Sequence, residues 1–139
     1  MMRVPQSLDY ALRAIVLLAL QPEGEYVAAG DLADRLGLPR RFVEQQITRL
    51  ARHGLVRCRR GASGGCALAA PAAQITVLDV VSAIQGDVLD VPRVTDSATS
   101  VLWSQAADEL GAFLQRTTVE QLAVRQRELE GVAATMYWI

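Results

Sequence analysis

The sequence predicts a mainly α fold, and three observations carry that prediction. Apolar residues recur at helical spacing in six separate stretches, glycine or proline punctuates most boundaries between them, and the only competing signal is a pair of short extended runs around GASGG. At 139 residues and 51% hydrophobic content, the chain can bury one core and carry an additional oligomerisation arm.

The first helix runs from Ser7, a plausible N-cap, to Leu20, with Leu8, Ala11, Leu12, Ile15, Leu18 and Ala19 on its stripe and Pro22 and Gly24 beyond its end. After an extended stretch at Tyr26 and Val27, AAGDLADRLGL gives a short second helix, with Leu32, Ala33 and Leu36 on one face and Gly37 as its stop. Pro39 sits in the first turn of a third helix, in which Phe42, Val43, Gln46, Ile47, Leu50 and Ala51 keep helical spacing up to Gly54. Of these, Phe42, Val43, Ile47 and Leu50 are assigned to the core. LVRCRR and CALAA read as strands joined by the glycine-rich turn, so the third helix runs straight into a hairpin.

Pro71 closes the hairpin, and Thr76 caps VLDVVSAI, whose Val77, Val80, Val81 and Ile84 form a stripe ended by Gly86. Residues 87–100 are polar and interrupted by proline, hence a loop. A long amphipathic helix follows, with Val101, Leu102, Ala106, Leu110, Phe113 and Leu114 on one broad face. Thr117 and Thr118 cap a short helix through Val119, Leu122 and Ala123, and the apolar tail MYWI is expected to fold back onto the long helix or a partner. The long helix needs a second surface, which a symmetric homodimer supplies. The division is thus 1–86, 87–100 and 101–139: a first domain, a loop, and a dimerisation helix with a short helix and tail.

The net charge of −1 conceals a polarity. All 14 cationic residues are arginine, and Arg35, Arg40, Arg41, Arg49, Arg52, Arg57, Arg59 and Arg60 share their stretch with a single acid, Glu44. A locally basic patch on a neutral chain suits contact with phosphate, and the guanidinium fork pairs bidentately with phosphate or guanine. Two helices joined by a tight glycine-containing turn form a helix-turn-helix, and the hairpin that follows makes it winged. Double-stranded DNA is therefore the expected partner. Pro39, Arg40, Arg41, Glu44 and Gln45 are the recognition-helix residues left exposed once the core is filled; arginine reaches guanine or phosphate, glutamine pairs with adenine, and glutamate accepts from cytosine N4. In the wing, Arg59, Arg60 and Gly61 precede a turn that glycine lets approach a backbone closely.

The ordered motifs LGLPRRFVEQQITRLARHGLV, RRGASGGCALA and ITVLDVVSAIQG, together with SLDYALRA and RTTVEQLA, resemble the IscR/NsrR-type (Rrf-two) family of bacterial transcription regulators over nearly the whole chain. The resemblance implies a homodimer built on crossed long helices, a roughly palindromic operator, base contacts from Glu44 and Gln45, and minor-groove insertion by Arg60 and Gly61. Ala62 stands where family members often carry proline. The resemblance also implies an iron-sulfur sensor in the loop before the dimer helix, with cysteine ligands. This chain departs from the pattern there: GDVLDVPRVTDSATS holds neither cysteine nor histidine, and Asp87, Asp90 and Asp96 are hard oxygen donors better suited to a loosely held divalent ion. No cofactor and no metal site are therefore expected.

Cys58 and Cys66 lie on opposite strands of the hairpin and form a candidate redox pair if the register brings them together; the alternative is two small strand residues. His53, the sole histidine, suits the C-terminal end of the third helix. Trp103, Phe113, Tyr137 and Trp138 are assigned to packing or dimer contacts, with a pocket for an unidentified small effector as the alternative. No catalytic set, phosphate loop or closed metal spacing appears, so no enzyme is expected. The absence of an apolar leader or membrane span predicts a cytoplasmic protein without membrane contact. The function expected is a sequence-specific regulator, a repressor acting as a homodimer without the cluster. The alternatives are a winged-helix interaction module that does not bind DNA, and a thiol-based redox regulator using Cys58 and Cys66.

Overall fold

The computed structural model describes residues 2–91 and 97–138, with side chains described as far as residue 133. Helix α1 (Gln6–Ala19) runs through the centre, and α2 (Ala29–Leu36), α3 (Arg40–Arg52) and α4 (Val77–Ile84) pack around it. Strands β1 (Val56–Arg59) and β2 (Gly65–Leu68) form an antiparallel hairpin between α3 and a 3₁₀ turn at Ala72–Gln74. Helices α5 (Ala98–Arg116) and α6 (Val119–Trp138) complete a mainly α, winged helix-turn-helix fold with a long C-terminal helix.

The core follows the predicted stripes. Ile15, Leu32, Val43, Leu50, Ile75, Val80 and Val119 are fully buried, so the first four helices and the start of α6 share one interior. Gly37 takes the left-handed conformation at the end of α2 (φ 64°), which lets the chain turn directly into α3. Thr76 and Asp79 close a reciprocal capping box on α4, and Thr118 and Gln121 exchange equivalent hydrogen bonds at the start of α6. Residues Thr76 and Thr118 also pair across an isolated antiparallel bridge, with Val77 N–H donating to Thr117 O and Val119 N–H to Ile75 O, both at 2.8 Å. That bridge ties the winged domain to α6.

Four expectations are corrected. Helix α1 begins at Gln6 with Pro5 as its N-cap, not Ser7, because proline's fixed φ suits helix entry and its carbonyl accepts from Leu8 and Asp9. Helix α5 begins at Ala98, inside the expected loop 87–100, because Ser97 Oγ caps Thr99 N–H. Helix α6 is 20 residues long and absorbs both the short helix and most of the tail, since ELEGVAATMYW contains no proline and one glycine costs a helix only about 1 kcal/mol. The expected fold-back of the Met136, Tyr137 and Trp138 side chains and of Ile139 lies outside the described residues, as does Asp96. Phe42, assigned to the core, is 49% exposed and tilts against Tyr10 at 6.4 Å between ring centroids, because Val43 and Gln46 take the inward positions of that turn.

Candidate nucleic-acid interface

Helix α3 presents an open N-terminus. Pro39 is its N-cap without a side-chain cap, no acid lies in the first turn, and Arg40 and Arg41 are both exposed there. Phe42 N–H already donates to Pro39 O at 3.1 Å, which leaves the N–H groups of Arg40 and Arg41 without an intrahelical acceptor; the helix dipole places partial positive charge beside them, so this end favours an anion. Glu44 and Gln45 are exposed one turn further on. Arg40 Nε donates to Glu44 Oε1 at 2.8 Å, with the Arg40 guanidinium close to Gly30 at the start of α2. An exposed pair of this kind stabilises little, but it keeps the arginine and the carboxylate side by side on the exposed face of the helix. His53 closes the helix as its C-cap, its Nδ1 lying 3.0 Å from Arg49 O.

Backbone hydrogen bonds hold the wing to the domain on one side only, among the described residues. Cys66 N–H donates to Val27 O and Val27 N–H to Cys66 O, both at 2.8 Å, so β2 is gripped by the extended stretch before α2. Gly65 is obligatory in this contact: its φ is 145°, and a Cβ there would collide with the Val27 carbonyl. Strand β1 has no such anchor on its outer edge among the described residues. At the tip, Gly61 has φ 108° and its carbonyl accepts from Gly64 N–H at 3.0 Å, closing the turn.

Arg57, Arg59, Arg60 and Gly61 are all exposed. Their roles differ. Arg59 lies 4.1 Å over the Tyr26 ring and donates from Nη2 to Ser63 O at 2.9 Å, so its guanidinium braces the wing against the domain. Sequence reasoning placed Arg59 with the DNA contacts and missed Tyr26 and Ser63; an aromatic in the extended stretch was visible, but its partner depended on hairpin register. That register pairs Val56 with Leu68, Arg57 with Ala67, Cys58 with Cys66 and Arg59 with Gly65. The two sulfurs stand 3.6 Å apart, Cys58 exposed and Cys66 buried in the core. Burial, and then the hydrogen bond with Cys58, push the Cys66 thiol up to about 12.

A second uncovered surface lies on the C-terminal helices. On α5, Val101 (53%), Leu102 (54%), Leu110 (39%) and Phe113 (55%) are exposed, whereas Ala106 is half-buried and Leu114 packs on the core. Val124, Leu129 and Val132 add to the exposed apolar area on α6. Ser100 is the sole buried residue of α5, which packs on α4 and approaches Val88 through Gly111. Two open clefts, of about 520 and 590 Å³, flank α1; Tyr26 lines the first, and neither includes the aromatics Trp103 and Phe113 proposed for an effector pocket. No helix among the described residues is long and apolar enough to cross a membrane.

A family model described as an iron-dependent transcriptional regulator, Rrf2, matches residues 4–125. The chain is 33% identical over 138 residues to the HTH-type transcriptional regulator IscR of Cronobacter sakazakii, covering 93% of this chain and 85% of that protein. It superposes on CymR, the global cysteine regulator of Bacillus subtilis, with TM-score 0.81 and 28% identity over 90% of this chain and 98% of that one. It superposes on T. potens IscR with TM-score 0.79 and 26% identity, over 92% and 90% of the two chains.

The donor set does not fit the iron group that the family description implies. Segment 87–97 offers only aspartates, Asp87 and Asp90 are both exposed, and no group of three or more His, Cys, Asp or Glu side chains among the described residues is placed to hold a metal. Thiolate or imidazole donors are what iron-sulfur chemistry requires, and the two cysteines lie in the wing instead. The relatives are transcriptional regulators and not enzymes, and with its winged fold and the match over residues 4–125 this chain belongs to the Rrf2 family of transcriptional regulators.

Proposed function

We propose that the chain works as a homodimer that binds a roughly palindromic DNA operator in the cytoplasm and represses transcription from it. The observation that carries this reading is the open N-terminus of α3, where Arg40 and Arg41 stand exposed beside uncapped backbone N–H groups with no acid in the first turn. Pro39, Glu44 and Gln45 complete the recognition surface, and Arg60 and Gly61 supply the wing tip, while Arg59 supports it. The exposed face of Val101, Leu102, Leu110 and Phe113, with Ala106 and Leu114 beside it, is the dimer surface. A two-fold dimer places two recognition helices about one helical turn of DNA apart, which is why the operator should be palindromic.

An electrophoretic mobility assay on duplex DNA from the region upstream of its own gene tests the reading. Sequence-dependent binding that weakens steeply with salt is expected, and Arg41→Ala and Arg60→Ala should each weaken it by roughly tenfold and flatten the salt dependence. Binding that ignores sequence, or survives both substitutions unchanged, would refute it. A reporter driven from the bound promoter then reads the sign of regulation: expression should rise when the protein is removed.

A further inference from the structure

We propose that the wing carries a reversible oxidation site, in which Cys58 and Cys66 close a cross-strand disulfide in response to peroxide and thereby loosen the wing's hold on DNA. The proposal rests on the DNA-binding function above. Its basis is the geometry of the hairpin and of the bridge from Val27 to its β2 edge. Both backbone groups of Cys66 are spent on Val27, so they point away from β1, and Cys58 and Cys66 face each other as a non-hydrogen-bonded antiparallel pair. Such pairs bring Cα atoms to about 4.5 Å, closer than the alternate kind and at the short end of the range a disulfide spans. The sulfurs, 3.6 Å apart, are already in contact.

The two thiols divide the chemistry between them. Cys58 is exposed and meets the oxidant; Cys66 is buried directly behind it. The Cys58 sulfur attacks one oxygen of hydrogen peroxide, the O–O bond breaks, and the departing hydroxide leaves as water with the thiol proton, giving a sulfenic acid. The Cys66 sulfur then attacks the Cys58 sulfur, the S–S bond forms, the S–O bond breaks, and the hydroxide leaves as a second water with the Cys66 proton. Two thiols are oxidised and one peroxide is reduced. A dithiol reductant reverses the step by thiol-disulfide exchange.

Closure has a mechanical consequence because the strands are not equally held. A disulfide needs sulfurs about 2.0 Å apart and a Cβ–S–S–Cβ angle of about 90°, so roughly 1.5 Å must be taken up by turning the two side chains and adjusting the backbone that carries them. Strand β2 has less room to give: the Val27 bridge grips Cys66, and Gly65 fits beside the Val27 carbonyl only because it carries no Cβ. The backbone part of the adjustment falls on β1, whose Cys58 is flanked by Arg57 and Arg59. Moving Arg59 disturbs its stacking on Tyr26 and its bond to Ser63 O, the braces that set the direction of Arg60 and Gly61.

The test starts with the reduced full-length protein, which selects a duplex from a random-sequence pool. Affinity for that duplex is then measured in reductant, after hydrogen peroxide, and after dithiothreitol, with maleimide counting under denaturing conditions in parallel. Peroxide should lower the affinity by roughly tenfold, dithiothreitol should restore it, and both thiols should be lost to maleimide together. Cys58→Ser, a change at an exposed position, should bind like the reduced wild type and keep its affinity in peroxide. Retained thiols, a sulfinic acid in place of the disulfide, unchanged affinity of the oxidised protein, or an equal loss in Cys58→Ser would each overturn the proposal. If the reduced protein enriches no sequence, the DNA-binding function fails, and maleimide counting alone then decides whether the disulfide closes.

Discussion

The arginine-bearing face of α3 and the wing, and the apolar face of α5 and α6, are both surfaces without cover in a single chain, but they are unfinished for opposite reasons. On the first, Arg41 and Arg60 are exposed charges and Arg40 is an exposed charge paired with Glu44, all stable in water and suited to exchange counterions for a polyanion. On the second, Val101, Leu102, Leu110 and Phe113 hold apolar area in water at a cost that only another apolar surface removes. The first partner should therefore leave as salt rises and the second should not. The difference separates the two roles proposed for one chain of 139 residues.

The largest expected effect comes from breaking the apolar face. Leu110→Asp with Phe113→Asp should convert the proposed dimer to monomer by sedimentation, and operator affinity should fall by about a hundredfold or more, since two half-sites are no longer engaged together. Persistence of the dimer would move its interface elsewhere. Next, Gly65→Ala attacks the wing anchor without touching a charge. It should cost at least about 2 kcal/mol in denaturant unfolding and weaken DNA binding while leaving dimerisation intact, because an alanine there meets both an unfavourable φ and the Val27 carbonyl.

Thr76→Ala sharpens the comparison at the joint between the two regions. Loss of the capping box should destabilise the fold by about 1 kcal/mol and lower the melting temperature by a few degrees, with both binding activities retained. A pH dependence, read only in alkaline solution, is the remaining test. Folding holds the Cys66 proton more tightly than the unfolded chain does, since burial and the bond with Cys58 push its pKa from 9.0 to about 12. The stabilisation is complete below about pH 9 and is lost as the pH rises toward about 12, so reduced wild-type protein should lose stability there more steeply than Cys66→Ala. Parallel stability curves would show that Cys66 has no such linkage.

The places where sequence and structure part have local causes. The stripe of α3 named Phe42 for the core, yet a helix face is wider than the groove it fills, and Val43 and Gln46 occupy the inward positions. The polar run before α5 hid a usable cap at Ser97, and the apolar end of α6 read as a tail because its pattern does not single out one face. Arg59 carried the same charge as its neighbours, so only the ring of Tyr26 beneath it shows that it acts as a brace.

By itself the sequence determined the order of the helices, the hairpin between α3 and α4, and the basic stretch against the apolar helix, because these depend on periodicity, turn residues and charge, all of which are local. Only the tertiary structure decided the register that sets Cys58 against Cys66, the grip of Val27 on β2, and the bridge from Thr76 to Thr118. A strand repeats every two residues, so a slip of one would satisfy the local pattern nearly as well and reverse every side chain. Contacts between segments distant along the chain remove that ambiguity.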